Sequence, residues 1–580
     1  MKKHIYILII VFASIFTACE PDMDLVNPNE LTVESYYQTP EELTAGVNGV
    51  YNILQRSGGW GRYMQYALNG KGDDFSFTNK ASAGMKEIPA LCNYTMEADN
   101  RVALRVYQAM YVMEYASNLI LEKIDAATMV KDEVLKDRLR GEALFLRGLS
   151  HFYLASFFGE EIPYRNAIPK SESDFFGAPL AKGEMYGKIV ADFEKAIELL
   201  PLRAAMYAQP ENVGRATKGS AQAFLAKTYL MKPILLEGSQ ADWTAAAHVL
   251  KDIIDSKQYE LMTNFRHNHI ETTENNKESI FEVQFFNNLN GEFGEYAAGE
   301  DIKTDWLTTD QSTWREQEMG MMDASGDNST WWNMAPTPRA MNEFERSNNA
   351  DLTSPIADPR YSMSIWGPGG AKYDVLNDPT LSRFRSYEQI ITVLSNRGKL
   401  FGTRKYCADK ASAPWESGIN DRLIRYSDVL LMYAECLVEL NRPTEAVPFI
   451  NDVRKRANNK LTLTTGADSF LFYATAPATL PMVETLITSA PTINGMQINT
   501  LRRAIKHERF VELFAEGWRF FDLLRWSKNT NDPDAAIVLD PLKNKFPDTG
   551  YAYKVGKNEY FPIPAEELAI NKNMKPNSAN

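Results

Sequence analysis

Cysteine is scarce in this chain: Cys19, Cys92, Cys407 and Cys436 are all that 580 residues contain. Four thiols support neither a disulfide framework nor a dense metal cluster, and without any CxxC the zinc-ribbon and thioredoxin-like chemistries are excluded. Positive charge is short as well. The 62 Lys and Arg are outnumbered by 75 Asp and Glu, a formal charge of -13, and no basic face is long enough to gather a phosphate backbone, so nucleic acid is not an expected partner. None of the six histidines sits in an HExxH or a local Ser-His-Asp pattern, and GxGxxG and GxxxxGK[ST] are both missing, so no metal, nucleotide or other cofactor is expected. His267 and His269 would share one side of a strand, yet a metal site needs further ligands, and loop histidines facing solvent are the expectation. Beyond the N-terminus no apolar run reaches the roughly 18 residues that a bilayer span requires.

What is present begins with an export signal. Residues 2–18, KKHIYILIIVFASIFTA, set two lysines before an apolar run from Ile5 to Phe16 and end in small residues just before Cys19. FTAC resembles the bacterial lipoprotein processing box, in which the cysteine becomes the first mature residue and carries the lipids; Phe16 departs from the usual aliphatic residue there. A plain signal peptide with an incidental Cys19 is the alternative. Removing residues 1–18 leaves 60 basic against 75 acidic residues. The next stretch, 19–30, is acidic and proline-marked and reads as a lipid-anchored tether. In lipoproteins of the Bacteroidota type, acids just after the cysteine look like a surface-export tag.

Residues 31–580 read as one domain of mostly α character. Apolar residues recur at three- and four-residue steps over Asn100–Ile124 and again over Lys131–Phe158, with Gly159 as C-cap, and the short polar turn between them predicts an antiparallel pair. Further helices are expected over 185–200, 218–232 and 241–256, with Pro201 and Pro233 closing the first two. Asp421–Asn441 and the stretch after it suggest a second helical hairpin. No strict repeat period is demonstrable, so tetratricopeptide-like pairing stays an open reading at this point. The texture changes over about 264–420, where NNLNG, SGDNSTWW and GPGG break every periodic stretch around short strands such as SIFEVQFF, and again over 461–500. The chain thus divides into an N-terminal part, about 31–260, a loop-rich lobe, about 264–420, and a C-terminal helical region, about 421–580.

That last region carries the most specific pattern. LRRAIKHERFVELFAEGWRFFDLLRWSKN, residues 501–529, resembles the C-terminal signature of the SusD/RagB family of outer-membrane nutrient-binding lipoproteins: Arg502-Arg503, His507-Glu508-Arg509, Glu512, Glu516-Gly517, Arg519 to Asp522, and Arg525-Trp526 stand in the family's order. RYSDVLLMYAEC, YFPIPAEELAINKNMKPN and VNPNELTVESYYQTPEELTAGVNGVYNIL are similar to its middle, closing and opening segments. Lys575-Pro576-Asn577 departs from the Gln-Asn of many relatives. The resemblance implies a SusD-like fold with four tetratricopeptide-like helix pairs under a loop-rich second lobe. It also implies a cell-surface, lipid-anchored protein of the outer membrane, facing the exterior, that captures glycan for a SusC-like TonB-dependent transporter. A glycoside hydrolase and a surface adhesion or filament-associated protein are the alternatives.

Glu508, Glu512 and Glu516 recur every four residues and would share one helical face if the helix persists, a repulsive arrangement unless cations compensate. Arg502, Arg503, Lys506, Arg509, Arg519 and Arg525 lie close enough in sequence to do so. A partly buried ion-pair network that fixes the C-terminal helix to its neighbours, with Asp522 and Trp526 also in the structural signature, is therefore favoured over a hydrolytic pair, which would need carboxyls about 5.5 Å or 6.5–9.5 Å apart across an open cleft. Sugar capture instead needs flat apolar platforms with polar groups beside them. Trp306, Trp314, Trp331 and Trp332 fall in the loop-rich lobe with Asp323, Asp327, Asn328 and Asn333 among them. Trp331 or Trp332 is the first choice, because neighbours on an extended stretch face opposite ways and one would meet the sugar. Trp60, Arg62, Tyr66, Asn69, Asp73 and Asp74 are the candidate second side, since in similar glycan binders the corresponding loop joins the ligand face. Asp73-Asp74 has turn-capping or a surface calcium ion as its other reading, although two acids fall short of a calcium loop.

Overall fold

The computed structural model describes residues 36–78, 85–235, 237–286, 312–320, 332–347, 354, 356–369, 372–374, 384–385, 401–407, 417–459, 471–472, 479–547 and 549–579. Helix α1, Pro40–Gln55, starts from a capping box: the Thr39 hydroxyl accepts from the Glu42 amide and the Glu42 carboxylate accepts from the Thr39 amide. A short helix α2, Tyr63–Asn69, leads into strand β1, Phe75–Phe77. The two long periodic stretches become α3, Arg101–Ala126, and α4, Glu133–Phe158. Asn100 caps α3 by accepting from the Val102 and Ala103 amides at 3.0 and 3.4 Å, and Gly159 ends α4 at φ +87°, where a side chain would be strained. There follow α5, Glu184–Leu199; α6, Lys218–Leu235; α7, Gln240–Asp255; and strands β2, Ser279–Val283, and β3, Met334–Pro336. Strand β4, Asp421–Arg425, runs directly into α8, Tyr426–Glu439, and α9 is Pro443–Ala457. The signature provides α10, Leu501–Leu513, and α11, Arg519–Ser527.

Eight of these helices form four consecutive pairs, α1 with α3, α4 with α5, α6 with α7 and α8 with α9. Each pair also packs on the next, α3 against α4, α5 against α6 and α7 against α8, which builds the mostly helical solenoid that the periodicity left open. Apolar residues from all four pairs join one core: Phe145 meets the rings of Phe193, Phe224 and Phe281 with centroids 6.0, 5.9 and 4.9 Å away. Two readings of the sequence need correction. Asp421–Arg425 is strand and not the first turn of a helix, because it pairs antiparallel with β2, Ser279 opposite Arg425 and Val283 opposite Asp421. Pro233 lies inside α6 and does not close it; the helix runs on to Leu235, so the lost amide bond falls only in its last turn.

The C-terminal strap locks onto the other end of the chain. The Phe561 amide donates to Phe157 O at 2.6 Å, the Ala565 amide to Ala98 O at 2.9 Å, and the Asn577 side-chain amide to Phe158 O at 3.1 Å. A buried lysine and a half-buried one clip it further. Lys71 Nζ donates to Glu559 O and Tyr560 O at 3.3 and 3.1 Å, and Lys545 Nζ donates to Gly70 O at 3.0 Å. Among the described residues no helix is long and apolar enough to cross a membrane.

Candidate functional site

Strands β1 and β3 form an antiparallel ribbon, Phe75 opposite Pro336 and Phe77 opposite Met334, which ends beside the tryptophan-rich segment. The Thr78 amide continues it by donating to Asn333 O at 3.0 Å, and the Thr78 hydroxyl donates to Trp332 O at 2.6 Å. Trp332 is half-buried, and its indole N–H donates to Phe401 O at 2.5 Å, which fixes the ring. Its φ is +49°, so the backbone here is left-handed and the extended geometry expected for Trp331-Trp332 does not hold. Trp331, Trp306, Asp327, Asp323, Asn328 and the anchor residue Cys19 lie outside the described residues.

The other candidates from this group go into the scaffold. Asn333 is buried, its side-chain amide donating to Tyr66 Oη at 3.2 Å and to a Glu318 carboxylate oxygen, while its backbone amide donates to Glu318 O at 2.8 Å. Arg62 donates through Nε to the same carboxylate at 2.7 Å, and its guanidinium lies over the buried Trp314 ring at 4.9 Å. Burial, with the Glu318 charge beside it, holds the Tyr66 hydroxyl well above the ordinary phenol range. Trp60 is 1 % exposed and packs edge-on against Tyr153 at 5.0 Å. Asn69 is buried on α2 and donates to Gln65 O at 2.8 Å. The expectation of a sugar face built from Trp60, Tyr66, Asn69, Trp314 and Asn333 is therefore corrected: large rings and amides in this loop are used to join the ribbon to the solenoid.

Asp73 and Asp74 are corrected in the same way. They are interior residues, so neither a surface calcium ion nor an exposed polar rim describes them. Asp73 accepts from Arg519 at 2.6 and 2.9 Å and from Arg339 at 2.8 Å; although burial alone would raise it, these two guanidiniums hold it well below the usual carboxylate range. Asp73 O and Asp74 O accept from the hydroxyl and amide of Thr337 at 2.7 and 2.9 Å. The pair thus pins the base of the ribbon to α11.

The signature charges lie behind this site. Glu508 accepts from Arg360 at 2.6 Å and Arg454 at 2.7 Å; Glu512 from Arg360 at 2.9 Å, Arg425 at 2.5 Å and Arg456; Glu516 from Arg425 and Lys405, each at 2.8 Å. The side chains of all of these residues are at most 3 % exposed. The compensating cations come from elsewhere in the fold and not from the neighbours in sequence. Those neighbours face other directions: Arg502 pairs with Glu439, Arg503 with Asp534, Lys506 with Asp532, Arg509 with Asp428 and Asp522, Arg519 with Asp73, and Arg525 with Glu435 and Asp522. The Trp526 indole N–H donates to Glu435 at 2.8 Å. Glu516 lies past the end of α10, where Ala515 and Gly517 at φ +62° and +83° reverse the chain. Wholly enclosed and saturated with guanidinium, these carboxylates have no cleft to share and no proton to deliver, and the chain is not a hydrolase of this type. Among the described residues no group of three or more His, Cys, Asp and Glu is arranged to hold a metal.

Sequence reasoning missed Phe401, Glu318 and Thr78, single residues with no motif around them, and it missed Arg360, Lys405, Arg454 and Arg456. A charged residue repeated within an apolar context, as in VRKRA, was the available signal for the last two.

Residues 277–579 match the family model described as the SusD family, and residues 23–230 match one described as starch-binding associating with outer membrane. SusD-like protein P25 of Formosa agariphila is 23% identical, over 98% of this chain and 97% of its own length. The crystal structure of a SusD homolog from Bacteroides thetaiotaomicron is similar with a TM-score of 0.70 at 20% identity, covering 94% of this chain and 98% of the other. Surface glycan-binding protein A from Bacteroides thetaiotaomicron, solved in complex with laminarihexaose, is similar with a TM-score of 0.64 at 19% identity, covering 93% and 99% of the two chains. With its solenoid, its buried signature network and a family match over more than half of its length, the chain belongs to the SusD family.

Proposed function

We propose that this protein is a non-catalytic glycan-capturing lipoprotein, held in the outer membrane by lipids on Cys19 and facing the cell exterior. It delivers polysaccharide or oligosaccharide to a SusC-like TonB-dependent transporter. The observation that carries the capture role is the corner where Thr78, Trp332 and Phe401 are bonded together: a tryptophan pinned through its N–H, half open, at the end of a ribbon anchored in the core. Such a ring offers a sugar a fixed apolar face at little entropic cost. Arg62, paired with Glu318 and with its side chain 15 % exposed, is the charged candidate for hydroxyls. The bound laminarihexaose of one relative makes glucans the first class to screen.

The test is a glycan screen followed by calorimetry and thermal melts on Trp331→Ala and Trp332→Ala. Loss of at least about tenfold in affinity, ~1.4 kcal/mol, with an unchanged melting temperature in one variant supports the platform. Full affinity with normal stability in both overturns it. Lipid anchoring is read by intact mass of membrane-extracted protein, and partnership by recovery of a barrel in gentle detergent; a soluble product cut away from Cys19, or no barrel, counts against those parts.

A further inference from the structure

Among the described residues Asp74 is a buried carboxyl without an ion-pair partner, at a point where the fold has placed a space beside it. It is 2 % exposed, its neighbour Asp73 engages both Arg339 and Arg519, and its own Oδ1 has no hydrogen-bond partner among the described residues. Oδ1 folds back over Gly72, where a Cβ would come within 2.1 Å of it, so the glycine makes the room. Asp74 also lines a small cavity with Arg509, Phe514, Trp518, Arg519 and Asp522, about 10 Å³ of which is open to the centre of a water molecule. That is about the space of one water, and the wall offers it polar partners. A buried polar atom without a partner is costly, and a single water in this space would satisfy it.

The charges around Asp74 oppose one another. Asp73 disfavours its ionisation, Arg519 and Lys545 favour it, and burial outweighs them, pushing the carboxyl up to about 7. Lys545 is committed to Gly70 O, while Arg509 and Asp522 across the cavity pair with each other at 2.8 Å. The thiol of Cys92 and the hydroxyl of Tyr94, both facing this cluster, are driven up by burial and stay neutral. Mechanically the residue stands at the base of the ribbon, with its carbonyl on the Thr337 amide and the ribbon's far end at Thr78 and Trp332.

We propose that Asp74 is a proton-holding, water-binding latch: its neutral carboxyl and one internal water keep the β1–β3 ribbon docked on α11, and ionisation of Asp74 loosens it. The inference stands apart from the saccharide reading, because its readouts are stability and amide protection. The carboxyl is neutral in the folded protein at pH values where the unfolded chain has already ionised. Its contribution to stability is therefore complete below about pH 4 and lost as pH rises through about 7.

The experiment compares thermal melts of the full chain and Asp74→Asn, which keeps the neutral shape at every pH. The two should melt together near pH 4, with the variant increasingly the more stable up to pH 8. A gap that does not change with pH, or a variant that is less stable throughout, overturns the proposal. Should the variant not fold, amide exchange on the unaltered protein decides. After correction for intrinsic rates, the Thr337 and Thr78 amides should lose protection by about tenfold or more between pH 6 and 8 while amides within α1 do not. Equal protection of Thr337 at both values refutes the latch.

Discussion

Glu512 gathers three cations, Arg360 at 2.9 Å, Arg425 at 2.5 Å and Arg456, and its replacement by glutamine is the sharpest perturbation of the signature. Gln keeps the volume and one acceptor oxygen, and it removes the charge. If each arginine depended on Glu512 alone, the change would strand three buried cations, and breaking even one such pair costs about 3–5 kcal/mol. The network is branched, however. Arg360 retains Asp358 and Glu508, Arg425 retains Glu278 and Glu516, and Arg456 retains Glu278. No guanidinium is left wholly unpaired, so the loss belongs near the low end of the range, about 3 kcal/mol. Urea unfolding followed by tryptophan fluorescence reads this as a fall in midpoint with an unchanged slope. Arg456→Met in the Glu512→Gln background should cost less than Arg456→Met alone, because the arginine removed there has already lost one acid. A loss below about 1 kcal/mol for Glu512→Gln, or strict additivity in the double variant, would refute the picture of a dry, interdependent network and mean that water screens these charges.

Gly517→Ala should destabilise by about 2–4 kcal/mol, since its φ of +83° penalises a side chain and the added Cβ would sit 2.7 Å from Leu68 Cβ; a normal melting temperature would contradict this. Burial alone would lower the pKa of His507, but hydrogen bonds at 3.1 and 3.2 Å to Glu343 and Glu345 hold it up at about 9. The imidazolium therefore contributes about 3 kcal/mol that is complete below about pH 6.5 and disappears as pH rises through 9, and His507→Gln should flatten that limb of the melting curve. Incubation of purified protein with a panel of glycans should release no reducing ends, and sustained release that survives further purification would reopen the hydrolase alternative.

The long helices were legible because a buried stripe on α3 and α4 must repeat at the helical period, whatever it packs against. β4 was not legible: DRLIR continues the apolar rhythm of α8, and only the arrival of β2 from far along the chain decides that it is strand. The charges show the same division. The spacing of Glu508 and Glu512 correctly placed two acids on one face, but the identity of their partners depended on which distant segments the solenoid brings together, and Arg360, Arg425 and Arg454 could not be chosen from sequence distance. For the ligand surface, clustering of tryptophans was a poor guide to exposure, because a large ring in a loop is also the best means of fastening that loop. Trp60 and Trp314 serve that purpose, while Trp332 is half-buried on a left-handed backbone that no residue pattern announced.

The strap formed by residues 557–577 carries a consequence for biogenesis. It seals Lys71 under Glu559 and Tyr560, covers Phe157 with Phe561 and reaches back to Ala98. Contacts of such sequence separation form slowly, since the loop between their ends must close first. A chain emerging from its N-terminus, on the ribosome or from a translocation pore, therefore exposes the apolar ends of α3 and α4 until its last residues have arrived. The protein cannot finish folding piecemeal. Its native state is reached only once the last segment is in place, and truncation by a few tens of residues at the C-terminus should leave a chain that cannot complete its core rather than yield a smaller folded protein.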